Sequence, residues 1–322
     1  MRNWLPFFIG VIFFLAMVWQ GERMPADTLQ KGPVYNNDTI WYGADKLQIP
    51  FGTSDGNLIW YGQELIANTS YYLGPKGIVL HDCNGMNCQN CHLAAGTLPF
   101  ANNFGKVYAT YPQFRARSNA TQTIYGRIND CLERSMNGKR IDTATLEMRA
   151  MYAYFKWLGQ DVPKGTSPAG TAIAKLPYIS RAASTVEGQK VYTTACSSCH
   201  GANGQGQLNI QGTGYTYPPL WGNDSYNDGA GLFRLGSFAG YVKNNMPFGA
   251  TYKTTQLTNE QAWDVAAFVN SQPRPHRDQA MDWQNLLLKP VDFPFGPYAD
   301  NFTEQQHKYG PFTAIIAAQK KK

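Results

Sequence analysis

Four of the chain's six cysteines fall into two copies of one spacing, Cys88-Gln-Asn-Cys91-His92 and Cys196-Ser-Ser-Cys199-His200. Two thiols three residues apart sit on one helical turn, and the residue that follows offers an imidazole just beyond them. That arrangement reaches the two vinyl groups of a porphyrin and puts a nitrogen under its iron. A redox dithiol needs no following His, and a zinc site wants a second thiolate pair close by. Two matches in parallel contexts therefore predict two covalently attached haem c groups, with His92 and His200 as proximal ligands.

A second constellation lies between them, Arg127-Ile-Asn-Asp-Cys131-Leu-Glu-Arg134-Ser135-Met-Asn-Gly138. Read as a helix, it stacks Arg127, Cys131, Arg134 and Ser135 on one face, because residues three and four apart are neighbours. One soft nucleophile then stands among cations, which favour its thiolate, and a thiolate is both an iron ligand and a nucleophile. Arg115 and Arg117, followed by Ser118, add to that charge if the chain folds them close. A disulfide between Cys131 and Cys83 is the competing expectation, since these are the two cysteines outside the haem motifs. Cys83 otherwise reads as a free buried thiol and His81 as a surface residue. His276 and His307 accompany no motif.

The elements that must position these groups form a loose internal repeat. Each region has an amphipathic stretch, then C-x-x-C-H, then a long loop, then an apolar-periodic helix. The closing helices are predicted at 145–158 (Leu146, Met148, Met151, Tyr154, Phe155, Leu158) and 258–271 (Trp263, Val265, Ala266, Phe268, Val269), with Pro273 stopping the second. The Pro, Gly and small polar residues of 161–171 read as the start of a linker. The expected plan is a leader at 1–25, a first domain at 26–165, a linker at 166–185, a second domain at 186–275, and an extension at 276–322 packed back on both. With 31 Gly and 19 Pro among 322 residues, the fold class expected is mainly α with long loops, wrapped around something large that is not protein.

Met1-Arg-Asn precedes an uncharged apolar stretch, Trp4 to Trp19, between a signal-peptide core and a spanning helix in length. Cleaved signal or retained membrane anchor, it places the rest outside the cytoplasm, which for this class means the periplasm. The net charge of +6 is modest and the one basic block, Lys320–Lys322, is terminal, so nucleic acid is not an indicated partner.

The second region resembles a class I cytochrome c over its whole length, in Gly188-Gln-Lys-Val-Tyr192, Cys196–Gly201, Pro218-Pro-Leu-Trp-Gly222, Met246-Pro247 and the helix through Trp263. The resemblance implies a haem-wrapping domain with Met246 as sixth iron ligand. The first region, with its Asn-Cys-x-Asn-Cys-His motif and the Cys131 segment some forty residues on, is similar to the dihaem thiosulfate dehydrogenases, some of which act as tetrathionate reductases. That likeness runs from roughly residue 50 to 275. It implies that Cys131 is sixth ligand of the first haem and the catalytic residue, and that Arg117, Ser118 and Ser135 bind anionic substrate. Arg127 and Arg134 join the expected catalytic set. The implied reaction interconverts two thiosulfates and tetrathionate, with electrons leaving through the second haem to a soluble cytochrome c or another respiratory carrier. Some relatives carry a Lys before the Met that alternates as ligand; here Asn245 stands in its place. Two other functions share the features: a non-catalytic dihaem electron carrier, and the cysteine-ligated cytochrome subunit of a multi-enzyme sulfur-oxidation system.

Overall fold

Each region is closed by one crossing of its first and last helices, and at both crossings the sequence supplies a glycine. The computed structural model describes residues 36–44 and 48–320; the expected leader and the last two lysines lie outside them. Helix α1 (Ser54–Ala67), followed by the turn of α2 (Thr69–Leu73), begins the first region. Short helices α3 (Leu93–Gly96) and α4 (Val107–Thr110) and a hairpin, β1 (Gln113–Arg115) with β2 (Ala120–Gln122), lead into α5 (Ile124–Arg134) and α6 (Leu146–Leu158). The second region runs α7 (Thr185–Ala195), α8 (Ser197–His200), a hairpin of β3 (Gln207–Leu208) and β4 (Tyr215–Tyr217), α9 (Leu235–Asn245) and α10 (Asn259–Ser271). Two short helices, α11 (Glu304–Tyr309) and α12 (Thr313–Gln319), end the extension.

In the first region α1 packs across α6, and in the second α7 packs across α10. A Cβ at Gly62 would stand 2.0 Å from the Ala150 carbonyl oxygen, and one at Gly188 would stand 1.9 Å from that of Asp264. Only glycine lets the two backbones approach so closely. The helices start where hydroxyl side chains accept a first-turn N–H. Thr53, Thr123, Thr145 and Ser184 cap α1, α5, α6 and α7, and Thr258 with Gln261 makes a reciprocal capping box at α10. The predicted closing helices match α6 and α10 to within a residue. Of their expected stripes, Leu146 alone is exposed, because it sits in the first turn of α6, short of the crossing.

The expected linker differs most from its prediction. The described residues belong to one compact unit rather than two bodies on a tether. Ala169 accepts a hydrogen bond from the Trp41 amide at 3.0 Å and pairs in parallel with Ile40. Thr171 is buried, while Ile173, Leu176 and Ile179 pack on the second core. Glycine and proline here shape a strap that must lie against both halves, so its apolar residues are inward. The end of the extension packs on the second core: Phe312 and Ile315 are buried there, and the Tyr309 carbonyl accepts from the Ala183 amide. Its two helices were not foreseen, because six and seven residues are too few to show a period. His307 is buried there between the Val291 carbonyl and the Asp300 carboxylate, a structural histidine, whereas His81 and His276 are exposed.

Candidate active site

The first C-x-x-C-H loop is anchored by side chains before any cofactor is considered. Asn87 Oδ1 accepts from both the amide and hydroxyl of Ser70 at 2.8 Å, and Asn90 Oδ1 accepts from the Asn87 amide at 2.7 Å. The Cys88 amide donates to Thr69 Oγ1 at 3.0 Å. These bonds fasten the motif to the junction of α1 and α2. Cys88, Cys91 and His92 then face one cavity of about 350 Å³, with Cys131 on its wall. Apolar side chains such as Phe104, Ile128, Leu132 and Phe155 make up most of the rest.

The His92 ring stacks on Phe104 at 4.2 Å between centroids, and its Nδ1–H donates to the Asn102 carbonyl. A carbonyl can only accept, so Nδ1 carries the proton and Nε2 keeps the lone pair a metal would take, which here accepts a long hydrogen bond from Asn102 Nδ2 at 3.4 Å. Burial pushes this imidazole down to about 4, which keeps it neutral and ligand-competent. Burial likewise pushes Cys88 up to about 11 and Cys91 up to about 12, so the wall favours uncharged sulfur, the state of a thioether. The residues present fit a haem c held by Cys88, Cys91 and His92.

The second site repeats this chemistry. His200 is buried, its Nδ1–H donates to the Pro218 carbonyl at 2.8 Å, and burial lowers its basicity. Burial raises Cys196 to about 11. Tyr192 donates to the Gly201 carbonyl at 2.6 Å and packs on Trp221, fixing the loop after the motif. Met246 caps the C-terminus of α9 and packs on the second core together with Cys196. The same helix touches the first site, since Tyr241 donates to the Asn90 carbonyl at 3.2 Å. Asn245 is buried, donating to the Tyr241 carbonyl at 2.8 Å and across the domains to the Phe100 carbonyl at 3.2 Å.

Elsewhere on the lining of the first cavity the expected cationic face is present but divided. Arg115, Arg117, Arg127 and Ser135 line the cavity with Cys131. Arg127 is held above its ordinary value, first by the charge of Cys131, an i, i+4 neighbour on α5. Arg117 is pushed down, first by burial and then by Arg134 and Arg127, with Asp282 and Asp130 opposing. Arg134 is not on the cavity wall: its two Nη atoms donate to Asp282 at 2.7 and 2.8 Å, both side chains about nine-tenths buried. Ser118 is also outside, exposed at the turn between β1 and β2. No disulfide joins Cys83 to Cys131. Cys83 is buried and raised to about 12 by that burial, against Gly138.

Several wall residues were not foreseen: Lys106, Tyr226, Arg234 and Ser237, together with Thr171 and Ile173 of the strap. They come from four separate parts of the chain, and no local spacing marks them. Asp282 had no signal either, beyond being a carboxylate in an aromatic extension.

Two family descriptions match the chain, "SoxA/TsdA, cytochrome c domain" over residues 81–163 and "Cytochrome c" over residues 185–273. A thiosulfate dehydrogenase of Allochromatium vinosum is 41% identical over 218 residues, 66% of this chain and 79% of the relative. One from Psychrobacter arcticus is 39% identical over 221 residues, 68% of this chain and 65% of the relative. One from Stutzerimonas stutzeri is 34% identical, covering 68% of each. Among solved structures, a thiosulfate dehydrogenase (TsdBA) of Marichromatium purpuratum, in its as-isolated form, superposes with a TM-score of 0.66 at 30% identity, covering 74% of this chain. The match spans half of that structure's chain.

Proposed function

The chain belongs to the thiosulfate dehydrogenase family and carries two covalent haem c groups, and from that premise we propose that it interconverts two thiosulfates and tetrathionate plus two electrons. One observation supports this above the others. A cysteine outside the haem motifs, Cys131, shares the first haem cavity with four arginines, Arg115, Arg117, Arg127 and Arg234, and with Ser135.

In this reading Cys88 and Cys91 would tether the first haem, and His92 and Cys131 would hold its iron. Cys196, Cys199, His200 and Met246 hold the second. When bound, the haems supply one-electron acceptors at two potentials. The chain's own groups do the sulfur chemistry. Arg115, Arg117 and Arg127 receive the sulfonate of one thiosulfate in a desolvated cavity, where charge-assisted hydrogen bonds are strong. The Cys131 sulfur bonds to the sulfane sulfur of that thiosulfate, and two electrons leave. The sulfane sulfur of a second thiosulfate then attacks the sulfur joined to Cys131. The new sulfur–sulfur bond completes tetrathionate, and Cys131 departs as thiolate. No proton is consumed, and reduction of tetrathionate is the same path reversed.

The electrons go to a soluble cytochrome c or another respiratory carrier. The chain works in the periplasm, tethered at or released from residues 4–19, whose apolar run in the sequence supports export. The purified single chain, given thiosulfate and an artificial one-electron acceptor, is expected to turn over. Absence of turnover in protein carrying both haems would leave an electron carrier instead.

A further inference from the structure

The arginine of the cavity wall is held from outside both cytochrome domains. Arg117 lies in the turn that joins β1 to β2, on a hairpin of two three-residue strands with little rigidity of its own. Its carbonyl accepts from the Trp283 amide at 2.7 Å, and its guanidinium lies 5.9 Å from the centroid of the Trp283 ring. Trp283 is buried against Phe293 and has φ +59°, a conformation a bulky residue holds only when its surroundings enforce it. Its neighbour Asp282 takes both Nη atoms of Arg134.

Arg134 and Arg117 also share one acceptor, the Gly229 carbonyl, at 3.4 and 3.3 Å. Two guanidiniums on one carbonyl repel unless a carboxylate compensates one of them, and Asp282 is that carboxylate. A Cβ at position 229 would lie 2.9 Å from Arg134 Nη1, so the approach also depends on glycine there. Residues 282 and 283 lie beyond 273, where the matched cytochrome families end.

We propose that Asp282 and Trp283 are positioning residues for anionic substrate: by neutralising Arg134 and pinning the Arg117 backbone, they hold the Arg117 guanidinium on the cavity wall. The inference rests on the proposed function for the identity of the anion and adds to it a required role for the extension.

Removing either partner of the buried pair displaces Arg117 in opposite senses. In Asp282→Asn the freed Arg134 repels it; in Arg134→Gln the freed Asp282 draws it off the wall. Removing both restores balance, since a buried pair is replaced more cheaply than it is broken. The test is a double-mutant cycle on haem-loaded full chain, read as KM and kcat for thiosulfate and as Kd for thiosulfate by isothermal titration. Each single variant is expected to raise KM and Kd roughly tenfold with kcat changed much less, and the double variant to bring both back toward wild type. Asp282→Glu should retain most of the affinity. If Asp282→Asn fails to load haem, Arg134→Gln against the double variant makes the same comparison. Equal Kd values for Arg134→Gln and the double variant, or single variants with wild-type Kd, would overturn the inference. Thiosulfate binding without turnover in the wild type would defeat the proposed activity while leaving the cycle readable. No binding by the wild type would overturn both.

Discussion

The two cytochrome domains are built alike up to the histidine of each haem motif and differ beyond it. Both cross their terminal helices at a glycine, Gly62 or Gly188, and both aim a histidine by giving its Nδ1–H to a carbonyl. Beyond that the first domain presents Cys131 and four arginines around a cavity, while the second closes with Met246 on its own core. One scaffold thus carries two different surroundings for its histidine, and the proposed function assigns the anion to the charged cavity and the onward passage of electrons to the domain that packs Met246.

The largest expected effect comes from erasing what distinguishes the first domain. Cys131→Gly should lower thiosulfate turnover by roughly a thousandfold or more. Only one haem spectrum should change, and the fold should survive, because Cys131 is not part of a disulfide. A variant that keeps turnover would make the two domains functionally alike.

Next come the features the domains share. Gly62→Ala and Gly188→Ala place a Cβ 2.0 and 1.9 Å from a carbonyl oxygen, and each should cost about 3 kcal/mol by overpacking. Differential scanning calorimetry with haem spectra should show Gly62→Ala disturbing the first haem more and Gly188→Ala the second. Equal disturbance of both would mean that the crossings do not act domain by domain.

Met246→Gly should be milder in turnover with a fast artificial acceptor, and selective in redox titration. Thioether favours the reduced iron and thiolate the oxidised, so the native chain should show two separated midpoints. Only the upper one should move in the variant. Asn245→Lys should be the smallest. It removes the amide's bonds to Tyr241 and Phe100, at a cost of about 1–2 kcal/mol. It also offers an amine next to Met246, expected as partial loss of the weak near-infrared methionine–iron band.

Much of this comparison was legible in residue spacing, because the features involved are local. The C-x-x-C-H motifs, the apolar stripes of α6 and α10 and the pairing of Arg127 with Cys131 all span one or two helical turns. What was not legible depends on distant segments meeting. Arg134 shares a helix with Cys131, yet its direction is decided by Asp282, 148 residues away. The strap looked like a linker because its Gly and Pro were visible and the surfaces it covers were not. Ser118 looked useful beside Arg117, but a hairpin turn sends adjacent residues to different places.

The claim on which the comparison turns is that Cys131 carries sulfur. Oxidised protein mixed with a single equivalent of thiosulfate, quenched, digested and read by mass spectrometry tests it most directly. The account predicts one added thiosulfate unit on the peptide containing Cys131 and none on that containing Cys83. Turnover that proceeds with Cys131 unmodified throughout, or an adduct found on another residue, would contradict it.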